Sequence, residues 1–117
     1  MYQIQNITNA PKQKQTLVLP DGKQIVLNIY FSSLQLGWFI HSITYGSFVL
    51  NGARIVNSPN MLHQFRNKIP FGLACFSTGN REPSLIDDFL SGASKLYILD
   101  EDEITYFTGV LSGEIQS

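Results

Sequence analysis

The groups on this chain that could do chemistry are few and widely separated: His41, His63, Cys75, and two acidic clusters, Asp87-Asp88 and Asp100-Glu101-Asp102-Glu103. Two histidines make a metal site when their spacing turns both rings to one ion, and neither His41 nor His63 has a companion at HxxxH or HxE spacing. His41, set among large apolar residues, reads as a core-margin or sheet-surface histidine. One cysteine can neither close an internal disulfide nor build a thiolate metal site. Cys75 lies in the apolar run of residues 71–76 and reads as a buried structural thiol.

Paired carboxylates can divide acid and base roles. Adjacent on a short helix, however, Asp87 and Asp88 point in different directions and read as helix-end electrostatics. The four acids at 100–103 would offer oxygens to calcium, but they lack the spacing and the glycine of a calcium loop and read as a solvated turn. No serine sits in a Gly-x-Ser-x-Gly elbow, and Gly79 is isolated, so no phosphate-cradling loop is predicted. The expectation is a protein that is not an enzyme, with no catalytic residues, no cofactor and no metal ligands.

The elements around these residues read as strands and turns. Residues 13–19 and 24–31 flank Pro20-Asp21-Gly22-Lys23, a hairpin signal. Ile25, Leu27, Ile29 and Phe31 recur at period two, which marks a half-buried strand. Residues 38–45 are aromatic and β-branched, hence strand-forming. Strands are predicted at 47–50 and 53–56 with a turn at Asn51-Gly52, and a loop at 57–60. Residues 61–68 fit a short helical turn or an irregular strand. A buried strand follows at 71–77, then a helix over 84–90 capped by Ser84 and ended by Gly92. Strands at 95–99 and 104–109 flank the acidic turn.

Together these elements predict a mainly β fold: a small antiparallel β-barrel or sandwich with one short helix near residues 84–90. A partly closed barrel is favoured, because closure removes exposed edges. The 117 residues suit a single β domain, with 1–12 and 110–117 as extended arms.

Charged residues make up only 15% of the chain, so Gln, Asn, Ser and Thr must fill the surface, and such a surface is readily buried in an assembly. Twelve of the fourteen aromatics, namely Tyr30, Phe31, Trp38, Phe39, Tyr45, Phe48, Phe65, Phe71, Phe76, Tyr97, Tyr106 and Phe107, are already too many for one small dry core. Some should lie outside, where aromatics anchor protein interfaces. The net charge is −1 and the eight basic residues, Lys12, Lys14, Lys23, Arg54, Arg66, Lys68, Arg81 and Lys95, are scattered along the chain. No phosphate track and no nucleic acid partner is therefore expected. No apolar run is long enough to span a bilayer and the first ten residues carry no signal-peptide pattern, so no membrane and a cytosolic site of synthesis are expected.

The order of landmarks resembles one family. A hairpin at Pro20-Asp21-Gly22 precedes Ile25-Val26-Leu27-Asn28-Ile29-Tyr30, then Trp38-Phe39-Ile40-His41-Ser42-Ile43 and Gly52-Ala53-Arg54-Ile55-Val56. Met61-Leu62, Phe71-Gly72-Leu73, Glu82-Pro83 (where the family pattern has Asp-Pro), Asp87-Asp88-Phe89, Gly92 and Lys95-Leu96-Tyr97-Ile98-Leu99 follow. From residue 13 to 107 the set is similar to the cyanophage-type baseplate plug proteins of contractile-tailed phages. The resemblance implies a virion structural protein of the tail baseplate, a plug or adaptor at the end of the tail tube. Its partners would be hub proteins and other baseplate proteins. It would form a homo-oligomer, with a trimer matching the hub, and would be made in the host cytoplasm. The other reading of the residues is a small barrel that binds oligonucleotides or oligosaccharides through exposed aromatics.

Overall fold

A computed structural model describes residues 2–19 and 21–112. Its strands form two antiparallel sheets that face each other across one core. The larger sheet holds, in spatial order, β2 (Lys12–Val18), β3 (Gln24–Ser32), β4 (Gly37–Tyr45) and β5 (Phe48–Arg54). The smaller runs β1 (Tyr2–Gln3), β7 (Ser94–Leu99), β6 (Gly72–Ser77). The fold is thus mainly β, in its sandwich form.

The expected barrel closure does not occur. After β5 the chain leaves the larger sheet and crosses to the smaller one. There Ser58 and Cys75 exchange two backbone hydrogen bonds of 3.0 Å, and the Met61 N–H donates to Leu73 O at 2.7 Å. The crossing segment covers the free edge of β6 instead of continuing a ladder from β5. The outer edge of β2 is managed differently. Gln13 Nε2 donates to Thr8 O and Ala10 O, and Gln15 Nε2 to Asn6 O, so the N-terminal segment covers that edge through side chains. Residues 1–12, expected as an arm, include β1 and the buried Ile4 and Ile7.

The alternation read in the sequence sets the larger sheet. Ile25, Leu27 and Ile29 on β3 and Trp38, Ile40 and Ile43 on β4 face inward and are almost wholly buried. They pack against Leu73, Cys75, Leu96 and Ile98 of the smaller sheet. Trp38 is the largest of these buried side chains. Its ring contacts Phe31 and Phe89 edge-on, and its Nε1–H donates to Leu85 O at 3.1 Å. That bond ties the 81–92 segment to the core.

Gly46-Ser47 makes the tight β4–β5 hairpin, with Tyr45 paired to Phe48. The expected break at Asn51-Gly52 is therefore absent, and residues 48–54 form one strand. Gly52 instead takes φ 75°, opposite the place where β4 carries one residue more than β3. Register moves there from Asn28↔Ser42 to Ile29↔Ile40, leaving His41 as the bulged residue. The Asn-Gly signal is real, but a bulge and not a turn uses the left-handed conformation.

Residues 61–68 take the helical of the two expected forms, a 3-10 turn at His63–Phe65. Two further expectations change. The helix over 84–90 shrinks to α1 (Asp88–Ser91), ended as expected by Gly92 at φ 84°. Residues 104–109 are no strand, and the acidic residues before them are no turn: α2 (Glu101–Ser112) includes both. The reasons lie at its start. The Glu103 N–H donates to Asp100 Oδ1 at 2.8 Å and the Asp100 N–H to Glu103 Oε1 at 3.1 Å, a reciprocal capping box. Both edges of β7 are already paired, by β1 and β6, so no edge is open beside it. Helix α2 then packs Ile104 against Ala74 and Leu99 on the outer side of the smaller sheet.

Candidate functional site

The fold separates the groups that sequence reading singled out. His41 is exposed on the outer face of β4. His63 sits in the 3-10 turn whose Phe65 packs on Phe48 at the inner side. Cys75 is fully buried in β6, its thiol facing Asn57 Oδ1 at 3.8 Å, and burial pushes its pKa from 9.0 to about 12. Such a thiol is inert toward thiolate chemistry, as the reading of Cys75 as structural requires. Among the described residues no three His, Cys, Asp or Glu side chains converge as metal ligands.

Asp87 and Asp88 part company. Asp87 accepts a hydrogen bond from Asn9 Nδ2. Asp88 is buried and accepts four: from Arg81 Nη1 and Nη2 at 2.9 and 2.7 Å, and from the N–H groups of Ser84 and Leu85 at 2.8 and 2.9 Å. Burial alone would raise its pKa. The Arg81 guanidinium and the two N–H donors outweigh burial and hold the carboxyl below its usual value. This clamp fixes the 81–92 segment and is structural. Sequence reading assigned Asp88 to helix-end electrostatics; the charge partner seven residues earlier is what it missed.

The outer face of the larger sheet holds what the linear sequence hid. Register places Lys12 beside Tyr30, Tyr30 beside Phe39, and Phe39 beside Arg54, one row across all four strands. The Tyr30 and Phe39 rings stack at 5.4 Å and 18°, and the Arg54 guanidinium lies 5.3 Å from the Phe39 centroid. Arg54 is further held by donation to Leu36 O at 3.1 Å, and Gly37 leaves the space that its guanidinium occupies. The neighbouring row is Lys14, Asn28, Ser42 and Asn51, with Asn28 Nδ2 donating to Ser42 Oγ at 3.0 Å. His41, thrown outward by the bulge, meets Tyr30 edge-on at 6.3 Å.

Lys12, Lys14, Asn28, Tyr30 and His41 line a surface cleft of about 480 Å³, within the size range of ligand sites. Strands β2 to β5 carry no acid. In three dimensions Lys12 and Arg54 flank the partly exposed Tyr30 and Phe39. The signal was present in the sequence: a hairpin centred on Asp21 puts residues 12 and 30 opposite each other.

Other apolar side chains are exposed at the ends of the sandwich. The β3–β4 hairpin tip presents Leu34, 96% exposed, and Leu36, 60% exposed and held at φ 49°. Leu85 and Leu90 are exposed on the neighbouring 81–92 segment, and Phe76 and Tyr106 by the smaller sheet and α2. No family model matches the chain, and no curated protein is similar to it.

Proposed function

We propose that this protein is a structural component of a contractile phage tail baseplate, a plug or adaptor bound to central hub proteins at the end of the tail tube. It is made in the host cytoplasm, resides in the virion, acts in several copies with three matching the hub, and performs no catalysis. The observation that carries this reading is the Leu34–Leu36 tip. Leu36, a non-glycine residue, holds the left-handed conformation there, at a cost on the order of 1 kcal/mol. The product is an almost fully exposed leucine at the end of a hairpin whose Leu36 carbonyl is held by Arg54. In a chain with few charges, such a knob favours burial in a protein neighbour.

The residues that carry the family likeness lend support. Several of them build the fold. Gly22 takes φ 87° in the first hairpin, and Trp38 fills the core. Gly72 has no Cβ because the Asn60 side chain would lie 2.8 Å from one. Asp88 holds its clamp, Phe89 packs on Trp38, and Gly92 ends α1. The baseplate role is what that resemblance implies.

The test is made on particles. Mass spectrometry of purified virions should detect the chain, and tails built without it should fail to assemble or infect. A chain absent from virions, or normal infection without it, would overturn the reading. The cleft beside Tyr30 favours one competing function, a binder of oligonucleotides or oligosaccharides. Against a base-stacking platform stand the ring faces themselves: Phe39 lies between Tyr30 and Arg54, leaving one face of Tyr30 for a ligand.

A further inference from the structure

Charge is segregated along this chain. Seven of its eight basic residues precede residue 82, and eight of its nine acids follow residue 81. Apart from the Arg81–Asp88 pair and Glu101 beside Arg66 and Lys68, the fold keeps them apart. The outer face of the larger sheet presents Lys12, Lys14 and Arg54 with no acid on its four strands, whereas the start of α2 presents Asp100, Glu101 and Asp102 exposed. Glu101 shares a cleft with Arg66 and Lys68, so its charge is partly answered within the chain; Asp102 does not line that cleft. Net charge near zero thus conceals one basic face and one acidic end. Complementary patches of this kind steer association and fix orientation.

We infer that the outer sheet face is the docking site for a second copy of this chain, which inserts its acidic α2 start against Lys12 and Lys14 beside Tyr30. The cleft suits a protein segment better than a nucleic acid strand. Lys12 and Lys14 are two residues apart on one strand, roughly 7 Å, which is one anchoring point and not a track. The single open Tyr30 face and the Asn28–Ser42 pair can take one side chain and one backbone segment. Because the two patches differ, the contact is head-to-tail, and such contacts close into rings when the rotation allows, three copies being one solution. This inference supplies the copy-to-copy contact of the oligomer proposed above and rests on that part of the reading. It is tested on the purified chain, so its failure is separate from any failure to find the protein in virions.

The test uses two charge-reversal variants of the full chain: K12E/K14E, which alters only the sheet face, and E101K/D102K, which alters only the helix start. All four positions are exposed, and circular dichroism verifies that both variants fold. In sedimentation at low salt the wild type should self-associate, and raising NaCl from about 0.05 to about 0.5 M should weaken association at least roughly tenfold. Each variant alone should be monomeric. Their equimolar mixture should associate again, since the intact basic face of one variant meets the intact acidic helix start of the other. Three results would overturn the proposal. One is a wild type still monomeric at about 1 mM, where even a weak contact registers. Another is variants that associate like the wild type, which would place the interface on the apolar tips. The last is a mixture that stays monomeric. Loss by K12E/K14E of oligo-dT binding, in a wild type that does not self-associate, would assign the face to nucleic acid instead.

Discussion

The two sheets solve the same packing problem in opposite ways. The larger sheet buries one face only. Its strands alternate, Ile25, Leu27 and Ile29 inward and Val26, Asn28 and Tyr30 outward, and its outer face is left to bases and stacked rings. The smaller sheet is covered on both faces along residues 72–75, and its outer face opens at Phe76 and Lys95. Gly72, Leu73, Ala74 and Cys75 are all buried, because the common core lies on one side and Ile104 of α2 on the other. A sheet with one free face can carry a binding surface. A sheet with two covered faces carries structure and holds Cys75 out of reach. The comparison teaches where function has room on this fold: on β2 to β5 and at the hairpin tips.

The largest effect should come from cutting the joint between the regions. Trp38→Ala removes the ring that contacts both Phe31 of the larger sheet and Phe89 beyond it, and the bond to Leu85 O. Denaturant unfolding should show a loss of about 3–5 kcal/mol. Next is the clamp that holds the 81–92 segment. Asp88→Ala leaves two backbone N–H groups without their acceptor, at a cost of about 2–3 kcal/mol. The same carboxylate predicts acid sensitivity. Its folded pKa lies below its unfolded value of 3.8, so its stabilisation is present above that pH and fades as pH falls through the folded value. The Asp88→Asn variant should lose less stability between pH 5 and pH 2 than the wild type, measured as the midpoint of urea unfolding.

A smaller effect should come from the cover of the second sheet. Asp100→Ala removes one half of the capping box and should cost about 1 kcal/mol, visible as reduced helical circular dichroism. The buried thiol sharpens the contrast at high pH. With its pKa raised from 9.0 to about 12, Cys75 favours the folded state below pH 9, and that contribution declines as pH rises toward 12. Thiol reagents should modify Cys75 only as fast as the chain opens. Least affected should be the free face. Lys12→Glu should change stability by no more than about 0.5 kcal/mol, and a larger loss would show that the face is structural.

Legibility in the sequence followed the same division. Strict alternation and the Asp21-Gly22 turn made β2 and β3 readable, and with them the register that pairs Lys12 with Tyr30. Reading failed where tertiary cover decided the outcome. Residues 104–109 fit a strand as well as a helix by apolar spacing, and only the capping box and the occupied edges of β7 choose the helix. Asn51-Gly52 carried a true left-handed signal, whose use as a bulge depended on Gly46-Ser47 having already made the turn. The outer-face row was missed because its members lie far apart in sequence, at 12, 30, 39 and 54. The Arg81–Asp88 clamp was missed for another reason: no periodic pattern marks a carboxylate that reaches back to a loop.

The claim that this fold serves as a tail-baseplate component is tested most directly by an electron-microscopy map of intact particles that encode the chain. The account predicts density for both sheets near the end of the tail tube, with the Leu34 tip inserted into a neighbouring protein. Particles whose baseplate contains no such density, from a phage that expresses the chain, would contradict it.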